Sequence, residues 1–180
     1  MRALLERDAE LSKVVTYTTR PPRDGEIDGF DYRFVSLPEF KQMVEDGRVY
    51  EHERVYQDYY YGSPRDLFVE GRDGIIELDY KGQMKYQSRH DSVVSLFLLP
   101  PDLQELKRRI LARSEVSNLD ARLANAIEQM RHAQSYDYVV KNDDFEACLA
   151  AVERIIQVER IRRQGRMHLQ VMAKEIAMNA

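Results

Sequence analysis

Two apolar runs, each closed by a polar or turn-forming residue, constrain the fold of this chain most strongly. The run at 74–79 (GIIELD) ends in a carboxylate, and the run at 92–99 (SVVSLFLL) is closed by Pro100 and Pro101. Near-continuous apolar runs of this length are typical of strands in a parallel sheet that is covered on both faces. Helical patterns alternate with these runs, so the sequence predicts an open α/β sheet with helices on both faces.

Local patterns predict the individual elements. The clearest boundary is at Ser36, which can cap a helix together with Glu39 three residues later, while Pro38 lies in the first turn. Residues 18–76 are predicted to form an inserted, more antiparallel lobe. Helices are predicted at 2–11, 36–47, 102–112, 118–134 and 144–162, with a short one opened by Ser63-Pro64 after a turn at 59–62; strands are predicted at 13–17, 32–35, 48–55, 74–79, 92–99 and 138–141.

A loop with two arginines is the strongest candidate for a binding site. Residues 16–23 (TYTTRPPR) place Arg20 and Arg23 on a proline-stiffened segment with no acid between the two arginines. A guanidinium group donates paired, charge-assisted hydrogen bonds to phosphate oxygens. Thr16 and, further along, Tyr32 add hydroxyl groups. Spacing alone leaves two interpretations open: a phosphate-binding cradle, or an exposed loop whose arginines are only solvated.

Composition argues against several classes of function. The net charge of −4 opposes broad binding to nucleic acid, which usually requires a basic face. No apolar stretch approaches the roughly 18 residues of a membrane span. Cys148 is the single cysteine, so it cannot form an internal disulfide, and the four histidines are too scattered to suggest a metal site. We therefore expect a cytoplasmic protein with neither a nucleic-acid nor a membrane partner.

The string TTRPPR-x-GE-x-x-G-x-x-Y, from Thr18 to Tyr32, resembles the GMP-phosphate-binding segment of guanylate kinases. Further residues follow the order of that family at nearly its spacing: Glu51, Tyr61-Gly62-Ser63, Asp79, Arg109, Arg113, Arg122 and Asn142-Asp143-Asp144. The resemblance covers essentially the whole chain. It implies a single domain (1–180) with the parallel sheet of P-loop nucleoside-monophosphate kinases, a GMP-binding lobe at 18–76, a short helical lid at 109–122 and a C-terminal helical extension at 164–180.

The resemblance also implies an activity, the transfer of a phosphoryl group from ATP to GMP with Mg²⁺ accompanying ATP. In the GMP site that the resemblance implies, Glu51 would accept hydrogen bonds from guanine N1–H and the exocyclic amine. Ser63 would donate to guanine O6, and Asp79 would be a second acceptor. Such a site rejects a wrong base by leaving buried polar groups unpaired. The residues that would hold the GMP phosphate are Arg20, Arg23, Tyr32 and Tyr61, with Thr16 also among the GMP-binding residues.

Phosphoryl transfer requires positioning and charge stabilisation more than covalent chemistry, and arginines suit this task. By the resemblance, Arg109, Arg113 and Arg122 match the arginines of the family's lid and hinge, and together with Arg20 they form the implied catalytic set. Arg109, Arg113 and Asn142 would contact ATP, with Asn142 near the adenine. Spacing alone favours a different interpretation of Arg109 and Arg113, an exposed stripe at i and i+4 of a helix.

One family feature is not found in the 180 residues. Guanylate kinases begin with a buried strand and a glycine-rich loop ending in Gly-Lys-Ser/Thr, which holds the ATP phosphates and Mg²⁺. Residues 2–11 resemble the middle of the helix that follows this loop. We therefore expect the first central strand and the loop to be missing, through a mis-called start codon, a truncated gene, or descent from a natural loop-less relative.

The expected lack of the glycine-rich loop leaves two functions besides catalysis open. One is a non-catalytic module that binds GMP or a phosphorylated peptide, and the other is a decayed remnant with no function. The joint presence of Glu51, Ser63 and Asp79 favours a nucleotide over a peptide, because a phosphopeptide has no guanine edge to recognise.

Overall fold

The computed structural model describes residues 1–55, 59–65, 71–88, 92–112 and 119–178. Packing of the backbone divides the chain into two compact units, Met1–Asp91 (unit 1) and Ser92–Ala180 (unit 2). Among the described residues, no helix combines the length and the apolar character that crossing a membrane requires.

The described residues of unit 1 contain two separate groups of strands. Its elements are α1 (Arg2–Arg7), β1 (Leu11–Lys13), β2 (Tyr17–Thr18), β3 (Arg33–Phe34), α2 (Leu37–Glu45), β4 (Val49–Val55), β5 (Tyr59–Pro64), β6 (Asp73–Ile75) and α3 (Tyr80–Gln87). β1 and β6 pair in parallel. The other four strands form a sheet in the order β3-β2-β5-β4, in which β5 runs antiparallel to both of its neighbours. Apart from Tyr17, its strands lie within residues 18–76, the range expected for the lobe, and β2 pairs with β3 in parallel.

Helix α2 anchors strand β4 to the core of unit 1. Its N-terminus has the predicted capping box, because the Ser36 hydroxyl accepts from Glu39 N at 3.3 Å and the Glu39 carboxylate accepts from Ser36 N at 2.8 Å. The buried face of α2 then packs Phe40 and Met43 against Val49 of β4. Burial of apolar side chains stabilises such contacts in proportion to the area removed from water, so the start of β4 is firmly placed.

In the described part of unit 2, β-structure consists of one parallel strand pair. Its elements are β7 (Leu96–Leu99), α4 (Leu103–Ala112), α5 (Leu119–Arg131), a 3₁₀ turn (Ala133–Ser135), β8 (Tyr138–Lys141) and α6 (Phe145–Met178). β7 pairs with β8 in register from Leu96 opposite Tyr138. Just before these strands, the backbone N–H and the hydroxyl of Ser95 both donate to Asp137 at 2.8 Å. With β1 and β6, this pair confirms the predicted α/β class with parallel strands.

The segment that follows β4 was predicted wrongly. Residues 59–62 are part of strand β5 rather than a turn, and residues 63 and 64 end that strand rather than opening a helix. Gly62 and Pro64 resemble turn signals, but β5 pairs with both β2 and β4, and those pairings override local propensity. Residues 66–70, where the short helix was expected to continue, lie outside the described residues.

Other predicted boundaries also change. The predicted strand 13–17 is two short strands, β1 and β2, and the predicted helix 2–11 ends at Arg7. The apolar runs at 74–79 and 92–99 form strands only at Asp73–Ile75 and Leu96–Leu99. Helix α3 had not been predicted. Helix α6 does not end at residue 162 but continues unbroken to Met178, through most of 164–180, the range expected for a C-terminal helical extension.

Candidate functional site

Arg20 lies in the loop after β2, and three protein groups bind its guanidinium group. Its Nη2 donates to both carboxylate oxygens of Glu26 at 2.8 and 2.9 Å. Its Nη1 donates to the Pro21 carbonyl at 2.6 Å, and its Nε donates to the Tyr61 hydroxyl at 3.1 Å. Arg20 is only 9% exposed. A long, flexible side chain is therefore fixed in one orientation.

Aromatic rings surround the same guanidinium. Arg20 Cζ lies 5.6 Å from the ring centroid of Tyr32 and 5.8 Å from that of Phe34, distances at which a cation is attracted to a ring face. The rings of Tyr32 and Tyr61 meet edge to face with their centroids 6.0 Å apart. The structure thus brings together Arg20, Tyr32 and Tyr61, three of the residues that the sequence predicted for the phosphate.

The other two predicted residues lie at the margins of this cluster. The side chain of Arg23 is exposed, and its backbone N–H donates to Glu26 Oε2 at 2.7 Å. Thr16 precedes β2 and is half-buried, and its carbonyl accepts from Arg33 N at 2.8 Å. Arg23 is therefore an exposed cation that joins the cluster through its backbone N–H.

Glu26 is the member of this cluster that the sequence analysis missed. Although burial opposes its ionisation, the hydrogen bond from Arg20 and the N–H of Arg23 hold the pKa of Glu26 below its usual value. Burial likewise opposes the charge of Arg20, yet its bonds to Glu26 and Tyr61 raise its pKa. Glu26 lies six residues after Arg20, within the GE of the motif. A carboxylate this close in sequence to two arginines was the signal that could have identified Glu26 as their partner.

A second polar cluster lies where β4 and β5 pair. Glu51 and Ser63 are opposite each other in the register of these strands, and Ser63 Oγ donates to Glu51 Oε1 at 2.9 Å. Ser63 is 0% exposed and Glu51 is 8% exposed. Burial raises the pKa of Glu51, an effect that the hydrogen bond from Ser63 opposes.

Asp79 joins this cluster from the N-terminus of α3. It caps the helix by accepting from Gly82 N at 2.8 Å. A Cβ atom on Gly82 would lie 3.3 Å from the Glu51 carboxylate and 3.4 Å from Asp79 Oδ1, so the glycine leaves room for both acids. The nearby charge of Asp79 contributes to the raised pKa of Glu51. The three residues predicted to contact guanine therefore lie together, with Gly82 as a member that was not predicted.

Unit 2 brings together two of the residues that were predicted to contact ATP. Arg109, near the end of α4, donates from Nη1 to the Asn142 carbonyl at 3.0 Å and from Nε to Glu105 at 2.7 Å. Glu105 also binds Arg108, and hydrogen bonds from the two arginines lower its pKa to about 2. Arg122 lies in the first turn of α5. Arg113 lies outside the described residues.

The described part of the chain contains no group of three or more His, Cys, Asp or Glu side chains placed to hold a metal ion. Carboxylates do meet at Glu51 and Asp79, but only as a pair flanking Gly82. These residues therefore do not form a metal cage in the structure.

Comparisons with known proteins identify the family of the chain. Residues 1–159 match the protein-family model described as guanylate kinase. The chain is 42% identical over 176 residues to a guanylate kinase from Paramagnetospirillum magneticum, covering 93% of this chain and 81% of that protein. It is 38% identical to one from Sphingopyxis alaskensis, covering 97% and 82%.

The solved structures point the same way. The crystal structure of guanylate kinase from Anaplasma phagocytophilum superposes with a TM-score of 0.74 at 32% identity, covering 88% of this chain and 79% of that one. The fold is thus that of the P-loop kinases, as the sequence predicted. A family match over most of the chain and a shared fold lead to one conclusion: the chain belongs to the guanylate kinase family.

Proposed function

We propose that unit 1 binds GMP through its two polar clusters and presents it as the acceptor of a phosphoryl group from ATP. Guanylate kinases catalyse this transfer, which gives ADP and GDP. The observation that carries the proposal is that a buried carboxylate–hydroxyl pair and an arginine–tyrosine cluster lie in one unit and share strand β5. Tyr61 and Ser63 are two residues apart on that strand, so both side chains are on the same face.

Guanine recognition is the role that we assign to the cluster of Glu51, Ser63 and Asp79. An ionised Glu51 carboxylate can accept from both guanine N1–H and the exocyclic amine, while Ser63 donates to O6. Adenine has an acceptor at N1 and an amine at C6, so it would leave these buried groups unpaired. Each unpaired buried group costs about 1–3 kcal/mol, which supports selection of guanine over adenine.

Phosphate binding is the role that we assign to Arg20, Arg23, Tyr32 and Tyr61, with Thr16 at the edge of the site. The fixed Arg20 guanidinium supplies charge without having to be ordered when GMP binds, and the exposed Arg23 can close over the phosphate. Hydrogen bonds between guanidinium groups and phosphate are among the strong ones in proteins. The bond from Arg20 to Tyr61 supports a joint role for these two side chains.

The ATP side of the reaction is assigned to unit 2. We propose that Arg109, Arg113 and Asn142 contact ATP and that Arg109, Arg113 and Arg122, together with Arg20, stabilise the charge on the transferring group. Mg²⁺ would arrive with ATP, held mainly by phosphates and water, as this ion commonly is. No residue of the chain is assigned to it. Cytoplasmic location and the single-domain organisation remain predictions.

Titration calorimetry with GMP and AMP tests the binding proposal, and a coupled assay for GDP formation from ATP and GMP tests catalysis. We expect GMP to bind more tightly than AMP and GDP to form. The variants Arg20→Ala and Glu51→Ala should each weaken GMP binding, the first through the phosphate and the second through the base.

Three outcomes would count against the proposal. Equal affinity for GMP and AMP would refute guanine recognition. Tighter binding of a phosphoserine peptide than of GMP would assign the arginine cluster to a protein partner. GMP binding without any GDP formation would leave a binding module and refute catalysis by this chain.

A further inference from the structure

We propose that Glu105 is a positioning residue of the ATP site, which holds the Arg109 guanidinium against the residue that follows β8. The inference rests on the proposed function, in which Arg109 and Asn142 are assigned to ATP. Glu105 is not among the residues that the family resemblance implied.

The Glu105 carboxylate joins two successive arginines on α4. Its Oε2 accepts from Arg108 Nε at 2.6 Å, and its Oε1 accepts from Arg108 Nη2 and from Arg109 Nε, both at 2.7 Å. The two oxygens of a carboxylate have about four lone-pair positions, so they can accept all three bonds. The paired bonds from Arg108 fix the orientation of the carboxylate, and Arg109 therefore meets an acceptor whose direction is already set.

Exposure distinguishes the two arginines. The side chain of Arg108 is 69% exposed, whereas the side chains of Arg109 and Glu105 are 30% and 22% exposed. The bond between Glu105 and Arg109 is therefore the more shielded of the two, and Arg108 lies on the solvent side of the carboxylate.

The backbone of unit 2 holds Arg109 from a second side. Arg109 Nη1 donates to the Asn142 carbonyl at 3.0 Å, and Asn142 N donates to the Leu99 carbonyl at 2.7 Å. Leu99 ends β7, and Asn142 comes directly after β8. Ligands of open α/β sheets bind beyond the carboxyl ends of the parallel strands. The guanidinium thus lies at the end of this strand pair where a nucleotide is expected.

Arg109 keeps donors for a ligand although two protein groups orient it. A guanidinium has five N–H groups, and the bonds to Glu105 and Asn142 use two of them. No group among the described residues accepts from the other three. Phosphate oxygens suit such donors. Both backbone groups of Asn142 are engaged, which leaves recognition of a base to its side-chain amide.

Removal of Glu105 would change both charge and order, with opposite consequences. Hydrogen bonds from Arg108 and Arg109 lower the pKa of Glu105 to about 2, so the carboxylate is ionised at neutral pH and offsets part of the arginine charge. Loss of this charge would favour the ATP phosphates, whereas loss of the acceptor leaves the long Arg109 side chain to be ordered when ATP binds. We expect the effect on order to dominate.

Two variants of Glu105 separate charge from order. Glu105→Ala removes the charge and the acceptor, whereas Glu105→Gln removes the charge but keeps an amide oxygen as acceptor. Calorimetry with ATP and Mg²⁺ should show that Glu105→Ala binds ATP about fivefold more weakly than the wild-type chain, the effect of one hydrogen bond. Glu105→Gln should recover about half or more of this loss, and GMP affinity should be the same in all three proteins. Unchanged or tighter ATP binding by Glu105→Ala would overturn the inference.

A double variant and a matched control exclude a general effect of losing an acid. In an Arg109→Ala background, Glu105→Ala should cause no further loss of ATP affinity, because residues that act as a unit are not additive. Glu128→Ala removes an acid that binds Arg131 at 2.9 Å on α5, and it should leave ATP affinity unchanged. A full further loss in the Arg109→Ala background, or an equal loss in Glu128→Ala, would contradict the positioning role.

The Nε–H signal of Arg109 in NMR spectra reports the contact without any ligand. Its absence from Arg109→Lys would assign it. We expect slow exchange with solvent in the wild-type chain and in Glu105→Gln, and fast exchange in Glu105→Ala, because a hydrogen-bonded N–H exchanges only when the bond opens. Slow exchange in Glu105→Ala would show that Glu105 does not hold Arg109.

The wild-type chain distinguishes the proposed function from the role of Glu105. If the wild-type chain does not bind ATP, the assignment of unit 2 to ATP fails, and the role of Glu105 fails with it. If the wild-type chain binds ATP and Glu105→Ala binds it equally well, only the role of Glu105 fails.

Discussion

The carboxylate of Glu26 links two parts of the loop that precedes β3, since it binds both the Arg20 guanidinium and the Arg23 backbone N–H. Immobilising a free arginine side chain costs about 2 kcal/mol of rotamer entropy. Glu26 has already fixed Arg20, so this cost is met during folding rather than on binding. The acid also brings negative charge close to an expected phosphate, and the two effects oppose each other.

We expect the ordering effect to dominate, so that Glu26→Ala weakens GMP binding about tenfold, on the order of one charge-assisted hydrogen bond. Guanosine lacks the phosphate, so its affinity should not change. Calorimetry with both ligands measures this difference. Asp24→Ala, which removes an exposed acid from the same loop, is the matched control. Tighter GMP binding by Glu26→Ala would instead identify Glu26 as a competitor of the phosphate.

The raised pKa of Glu51 predicts opposite effects of pH on stability and on binding. Burial raises this pKa, so between the unfolded and the folded pKa the folded state holds more protons, and the free energy of unfolding falls as pH rises through that range. Guanine requires the ionised form, so binding should weaken as pH falls through the folded pKa.

Guanosine binding measured from about pH 8 to about pH 5 tests this effect, and guanosine is the better probe because a phosphate itself titrates near pH 6. We expect the wild-type affinity to fall toward the acid end. Glu51→Gln should bind weakly at every pH and show no such slope. A flat profile for the wild-type protein would contradict the role of the Glu51 carboxylate.

At the scale of elements, α3 depends on a residue that we also assign to the base. Asp79 caps the helix through Gly82 N, and loss of an N-cap costs about 1 kcal/mol. Asp79→Ala should therefore lower the free energy of unfolding by about that amount and weaken GMP binding. Asp79→Asn keeps a capping side chain but loses the charge, so it should keep the stability and still weaken GMP binding.

The control for this prediction is the other capped helix of unit 1. Ser36→Ala removes the N-cap of α2 and should cost about 1 kcal/mol with no change in GMP affinity. Urea unfolding and calorimetry measure the two quantities. If Asp79→Asn bound GMP as the wild-type protein does, Asp79 would have a capping role alone.

Strand pairing is also decided at the scale of elements. The capping box of α2 and the strand Tyr138–Lys141 were predicted from local sequence and are confirmed, because their signals lie within a few residues. Strand β5 was missed because its identity depends on β2 and β4, which lie elsewhere along the chain.

At the scale of the whole molecule, GMP should stabilise the fold. A ligand that binds only the folded state at about 100 times its Kd adds about 2.7 kcal/mol to the free energy of unfolding. Urea unfolding with and without GMP measures this shift, and Arg20→Ala should reduce it. AMP at the same concentration is the control. An equal shift with AMP would show that the site does not distinguish the bases.

The sequence by itself predicted the family, which the comparisons confirm, and named the candidate recognition groups. Arg20, Glu51 and Ser63 could be named in advance because the hydrogen-bonding chemistry of a side chain belongs to the residue itself. Only the tertiary structure decided that Glu26 holds Arg20 and that Asp79 and Glu51 meet beside Gly82. Strand register and helix packing decide which side chains meet. Both bring together residues that are far apart along the chain, so they follow only from the folding of the whole unit.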